Sequence, residues 1–191
     1  METLQIIKSK LRKELLSLYF TNPEKKYYLR ELERILSLSV ANIRRELINL
    51  EKTGLFQSEK KGNLTYYFLS KKYPLYAELK SIVFKTIGIR ATIKSMLEKI
   101  EGIKISFIYG SFAKNEQNQT SDIDVFIIGK LDENKLVEIF GKLERKLQRE
   151  TNYSLYEYND FKRKKNGKNP FIAEVLKQPK IFLIGDKNAL Q

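Results

Sequence analysis

Apolar positions in the first fifty residues recur at steps of three and four, the spacing of a helix with one buried face. Leu4, Ile7, Leu11, Leu15 and Leu18 share such a face and predict a helix over 2–19. TNPEKK (21–26) interrupts it. Leu29, Leu32, Ile35 and Leu36 predict a second helix over 28–36, and SLS (37–39) a turn. Val40, Ile43, Leu47 and Leu50 predict a third helix, closed by Gly54 as a left-handed cap. LFQSEK and LTYYFLS then flank the turn KGN, which predicts a β-hairpin. Helical spacing returns in PLYAELKSIVFKTIGI and RATIKSMLEKI, with a break near Gly88. The remainder alternates between strands and helices. IKISFIYG (103–110) and DIDVFIIG (122–129) are β-type runs, 132–150 is helical, and ETNYSLYEY is a strand. A basic loop, FKRKKNGKNPF (161–171), a helix starting at PFIAEVLKQ and a last strand, KIFLIG, complete the chain.

Two helices around a short turn, followed by a hairpin, give an order with a known likeness. LRELERILSLSVANIRRELINLEKTGLFQSEKKGNLTYYFLS resembles the winged helix-turn-helix of small prokaryotic transcriptional regulators, over residues 10–72. With Val40, Ile43, Leu47 and Leu50 turned inward, Ser39, Asn42, Arg45 and Asn49 face outward and Arg44 lies at the edge of that face. Asn and Arg are the side chains that make paired hydrogen bonds to base edges, and a recognition helix offers its N-terminal residues to the major groove. Lys60, Lys61 and Asn63 at the hairpin tip are placed to reach phosphates. The resemblance implies double-stranded DNA as a partner and transcription regulation as a role. A solvated helix face, or a protein-docking or dimerisation module, is the alternative for the same pattern.

Charge bears on that choice. The net charge is +13, and a basic chain is drawn to polyanions. Residues 1–88 carry 17 basic against 9 acidic residues, and 89–191 carry 19 against 14, so the excess is larger in the first part. A lysine-rich solvated surface gives the same total. Apolar residues at 42% and charged residues at 31% fit a packed, globular chain. No run of eighteen apolar residues occurs, so no membrane partner is expected. The N-terminal stretch lacks the apolar centre and cleavage site of a secretory signal, and the expected compartment is cytoplasmic. Cysteine and histidine are both absent. That excludes disulfides, thiolate and histidine nucleophile chemistry, and zinc held by sulfur or imidazole. Any metal must be held by oxygen, which favours Mg²⁺ or Mn²⁺.

Of only five aspartates in the chain, two sit one residue apart in GSFAKNEQNQTSDID (110–124). Strand alternation puts Asp122 and Asp124 on one face, with Ile123 and Val125 on the other. Two adjacent carboxylates repel each other unless a cation neutralises them. Upstream, Gly110 ends a strand and lets the backbone approach a phosphate, while Ser111 opens a helix whose amides and hydroxyl point the same way. One strand end for phosphates beside one for metal suits in-line displacement at phosphorus.

Gly110, Ser111, Asp122 and Asp124 match, residue by residue, the signature of the DNA polymerase β-like nucleotidyltransferase superfamily. The chain resembles its minimal archaeal and bacterial members over 90–185. The resemblance implies an α+β fold: an N-terminal winged helix-turn-helix (1–74), a helical bridge (75–89), and a nucleotidyltransferase domain with a mixed sheet and flanking helices (90–191). It also implies transfer of a nucleoside monophosphate from an NTP. Mg²⁺ or Mn²⁺ would sit on Asp122 and Asp124, with Gly110 and Ser111 at the nucleotide. The acceptor class stays open among protein, RNA and small-molecule hydroxyls, as does a homodimer through the long first helix. Relatives commonly carry a third carboxylate on a later strand. Here that position aligns with Asn152, with Glu150 two residues away as a substitute. Asparagine cannot act as a base. The alternative is therefore a DNA-binding regulator whose nucleotidyltransferase-like domain is inactive or senses a nucleotide. The run Lys162, Arg163, Lys164, Lys165 and Lys168 reads either as acceptor contacts or as solvated charge.

Overall fold

The computed structural model describes residues 9–118 and 120–190. Contacts divide the chain into two compact units, Met1–Ile89 with Lys146–Gln148, and Arg90–Arg145 with Arg149–Gln191.

In the first unit, α1 (Lys10–Thr21) starts at Ser9, whose hydroxyl accepts a hydrogen bond from the Arg12 amide at 3.0 Å. Leu15, Leu16, Leu18, Tyr19 and Phe20 are buried. Leu4 and Ile7 of the predicted helix lie outside the described residues. α2 (Leu29–Leu36) and α3 (Val40–Lys52) are joined by Ser37–Ser39, with Ser37 left-handed at φ 53°. Ile43, Leu47 and Leu50 are buried, and an ion pair between Arg12 and Glu46 ties α1 to α3. The chain leaves α3 through Gly54 at φ 82°, a conformation that favours glycine.

Tyr27–Tyr28 (β1), Phe56–Lys61 (β2) and Leu64–Leu69 (β3) form an antiparallel sheet in the order β1-β3-β2. β2 and β3 are the predicted hairpin, turning at Gly62–Asn63. β1 was not foreseen, because two residues are too few for an alternation signal. α4 (Tyr76–Thr86) adds Leu79 and Val83 to the core that holds α1. Tyr19 sits at its centre, edge-on to Tyr27 and Phe56, with its hydroxyl donating to the Tyr67 carbonyl at 3.1 Å. Burial pushes that phenol far above its ordinary range.

The second unit is built on a mixed sheet of β4 (Ile103–Tyr109), β5 (Ile123–Gly129), β6 (Thr151–Tyr156) and β7 (Ile181–Ile184), in the order β6-β5-β4-β7. β4 is antiparallel to both β5 and β7, and β5 is parallel to β6. The helices are α5 (Ile89–Leu97), α6 (Ser111–Lys114), α7 (Glu133–Leu147), α8 (Tyr158–Asn166) and α9 (Pro170–Lys177). On one face of the sheet Ile105, Phe107, Phe126 and Ile128 pack with Phe161 of α8 and with Ile172 and Val175 of α9. On the other, Phe140 of α7 meets Tyr153 with ring centroids 4.7 Å apart.

α8 corrects the expectation of a basic loop. The segment carries no repeated apolar face, since Phe161 is its one deeply buried anchor. Local charge helps hold the helix: Asp160 in the first turn pairs with Arg163 (2.5 Å) and Lys164 (3.0 Å), and the basic last turn complements the helix C-terminus. Tyr158, expected in a strand, begins this helix.

Candidate active site

Register sets the site. β4 pairs Tyr109 with Asp124 across the antiparallel ladder, and β5 pairs Asp124 with Asn152 across the parallel one. Asp122, one residue before β5, accepts a hydrogen bond from the Asn152 side-chain amide at 3.2 Å. The position beside Asp124 on β6 is thus Asn152. Glu150 instead precedes the strand, is exposed, and gives its backbone carbonyl to the Ile123 amide at 3.0 Å. Among the described residues no group of three or more acidic, His or Cys side chains is placed to hold a metal ion.

Gly110 caps this arrangement. Its φ of 71° and ψ of −149° lie in a region that residues with a Cβ avoid, and a Cβ here would fall 2.7 Å from Asp124 Oδ2. The backbone at Gly110 therefore runs directly over the Asp124 carboxylate. Ser111 begins α6, which spans four residues and offers the free amides of one turn rather than the field of a long helix. Gly110, Asp122, Asp124 and Asn152 are brought together, with Ser111 following at the strand end.

A model of the polymerase beta nucleotidyltransferase family matches residues 91–188. The chain belongs to that family. A Methanocaldococcus jannaschii protein named for protein adenylyltransferase activity is 46% identical over 50 residues, which are 26% of this chain and 38% of that one. The match thus spans little more than a third of the relative's length. Two solved structures overlap with 53% of this chain and 77% of their own: a toxin-antitoxin with AMP-PNP, at 17% identity and TM-score 0.41, and a mutant of the toxin-antitoxin MntA-HpeT, at 15% and 0.40.

The nucleotidyltransferase domain has a brace that sequence reasoning missed. Arg149 is buried, at 8% exposure, and donates to the carbonyls of Asn118 (2.9 Å) and Ser121 (2.7 Å). Its guanidinium lies 5.4 Å from the Phe112 ring. One side chain thus touches the residue after Ser111 and the residue before Asp122. Asn118 adds a local turn, its Oδ1 accepting from the Thr120 amide and the Thr120 and Ser121 hydroxyls at 2.9–3.1 Å. Nothing in the sequence distinguishes Arg149 from the other basic residues, because its role depends on a fold that returns the chain to this loop.

Electrostatics at the carboxylates have a clear sign. Burial raises the Asp124 pKa above its ordinary 3.8, the charge of Asp122 raises it further, and the Asn152 hydrogen bond opposes both. The folded protein holds this proton where the unfolded chain has already lost it. The group contributes stability below 3.8, and that contribution disappears as pH rises through the folded value. In metal-free buffer the unfolding midpoint of the Asp124→Asn protein is expected to be less sensitive to pH across that window than that of the wild type. Parallel pH profiles of the two would contradict this. The same repulsion makes the pair suited to a divalent cation. The oxygen donors of Asp122 and Asp124 are of the hard type that Mg²⁺ or Mn²⁺ takes.

Among the basic residues of α8, Arg163 and Lys164 pair with Asp160, and Lys162 and Lys164 cover the rings of Tyr158 (4.7 Å) and Tyr156 (4.8 Å). Lys165 donates to the Leu190 carbonyl at 2.7 Å. In the first unit Ser39, Asn42, Arg44 and Arg45 are exposed at the start of α3, with Arg45 donating to Asn42 Oδ1 at 3.4 Å. Lys60 and Lys61 are exposed beside the Gly62 turn, and Lys61 lies 3.4 Å from Glu59. No helix among the described residues is long and apolar enough to cross a membrane.

Proposed function

We propose that the second unit binds a nucleoside triphosphate with Mg²⁺ or Mn²⁺ at Asp122 and Asp124 and transfers the nucleoside monophosphate to an acceptor hydroxyl. The observation that carries this is the carboxylate pair under the Gly110 backbone, with Asp124 raised by burial and by its neighbour. Bound there, a divalent cation would neutralise phosphate charge as it builds up on the leaving oxygens. The acceptor oxygen bonds to the α-phosphorus, the bond from that phosphorus to the bridging oxygen breaks, and pyrophosphate leaves. The acceptor proton passes to water, since Asn152 accepts none. Gly110 and the first amides of α6 approach the phosphates, Ser111 adds a hydroxyl, and Arg149 holds the loop that aims Asp122.

The likeness to a protein adenylyltransferase, though confined to 50 residues, favours ATP and a protein hydroxyl as the first pair to test. Incubation with Mg²⁺ and α-phosphate-labelled ATP is expected to label a protein acceptor, whereas γ-labelled ATP leaves it unlabelled. Labelling from γ-labelled ATP alone would identify phosphate transfer and overturn the reading.

The first unit fits a DNA-binding winged helix. Two helices around the Ser37 turn, the hairpin after them and the exposed Ser39, Asn42, Arg44, Arg45, Lys60 and Lys61 support duplex DNA as its partner. An Arg45→Ala protein is expected to lose sequence discrimination equivalent to roughly 1–3 kcal/mol in a salt-controlled gel shift. Uniform weakening across all duplexes would reduce the contact to phosphate attraction. Asn152 specifically favours a second reading, in which this chain is a regulator and its nucleotide site senses rather than turns over.

A further inference from the structure

Beyond the carboxylates, the same sheet face continues into a run of rings. Phe126 lies two residues after Asp124 and therefore on its face. It stacks on Phe107 (centroids 5.1 Å, 6° between planes) and on Tyr156 (5.2 Å, 18°). Phe171, at the start of α9, lies over Phe126 at 6.3 Å and 25° and meets Tyr109 edge-on at 6.2 Å and 77°. Tyr109 is the cross-strand partner of Asp124, and its phenol is held by a hydrogen bond with Ser154. The rings of Phe107, Phe126 and Tyr109 are buried or half-buried, but Phe171 is 42% exposed. Among the described residues it is the one aromatic side chain in the set of exposed large hydrophobics. The exposed ring is thus held on a rigid aromatic base, one side chain away from the carboxylate pair.

Such a ledge suits a flat, π-bearing ligand. Aromatic side chains bind nucleobases by stacking, and every base has a π-face, so this recognition tolerates different bases. A phosphate chain anchored at Asp122 and Asp124 would carry its base within reach of this face.

We propose that Phe171, backed by Phe126 and Tyr109, is the stacking platform for the base of the nucleotide bound at Asp122 and Asp124. This rests on the nucleotide reading of that site. The platform discriminates by ring area, so purine nucleotides bind more tightly than pyrimidine nucleotides.

The test uses the full chain, Mg²⁺ and two probes, ATP and inorganic tripolyphosphate, titrated calorimetrically into the wild type and into Phe171→Leu and Phe171→Trp. Leucine keeps the apolar bulk and removes the π-face, and at an exposed position it leaves the core intact. Phe171→Leu is expected to weaken ATP about tenfold, within the range of one base stack, and to leave tripolyphosphate unchanged. Phe171→Trp is expected to hold ATP at least as tightly as the wild type. Wild-type ATP affinity in Phe171→Leu overturns the platform. So does an equal loss of both probes, which would give Phe171 a structural role only. A wild type that takes up neither probe overturns the nucleotide site itself, and the platform with it.

Discussion

Replacing Asn152 by aspartate is expected to raise the rate of nucleotide transfer by about 10²-fold, the lower end of what a positioned general base contributes. Strand register places residue 152 beside Asp124, and its side chain already reaches Asp122 at 3.2 Å. A carboxylate there would accept the proton that the native amide cannot take from the acceptor hydroxyl. The change has a second, opposite signature. Three carboxylates in place of two repel one another, so the variant is expected to melt below the wild type without metal and to recover when Mg²⁺ is added. An unchanged rate in a folded variant would show that residue 152 does not face the acceptor. A gain in rate without any metal-dependent change in melting would place the new carboxylate away from the cation.

The second large effect concerns Asp124. An Asp124→Asn protein is expected to lose Mg²⁺-dependent ATP affinity by roughly a hundredfold or more, the usual penalty for truncating one member of a close charge pair. Its stability is expected to move the other way. Asn removes both the repulsion from Asp122 and the burial of a charge, the two causes that raise the Asp124 pKa. A variant more stable than the wild type in metal-free buffer, yet unable to hold the nucleotide, is the pattern of a site whose strain serves binding. Lower stability together with intact ATP binding would mark Asp124 as a structural residue.

Much of this site is legible in one stretch of sequence. The alternation in DIDVFIIG puts Asp122 and Asp124 on one strand face, and the structure places Gly110 over that face, where a side chain would collide with Asp124. The hairpin of the first unit follows from two β-type runs around a glycine. Features that depend on distant parts of the chain were not legible. Arg149 acts through backbone carbonyls nearly thirty residues earlier, and one arginine among many basic residues carries no local pattern. β1 is two residues long and forms because β3 offers it an edge. α8 was hidden by its composition. A lysine-rich segment with one apolar anchor resembles a loop until the i,i+3 and i,i+4 pairs from Asp160 are counted. The exposure of Phe171 was equally invisible, because the hydrophobic start of α9 reads as core.

The most direct test is calorimetric titration of ATP into the wild-type chain, with and without Mg²⁺. Binding at one site per chain that requires the metal, and strengthens as pH rises through the raised Asp124 pKa, is the predicted result. Absence of binding, or binding indifferent to Mg²⁺, would contradict the claim that Asp122 and Asp124 form a metal–nucleotide site.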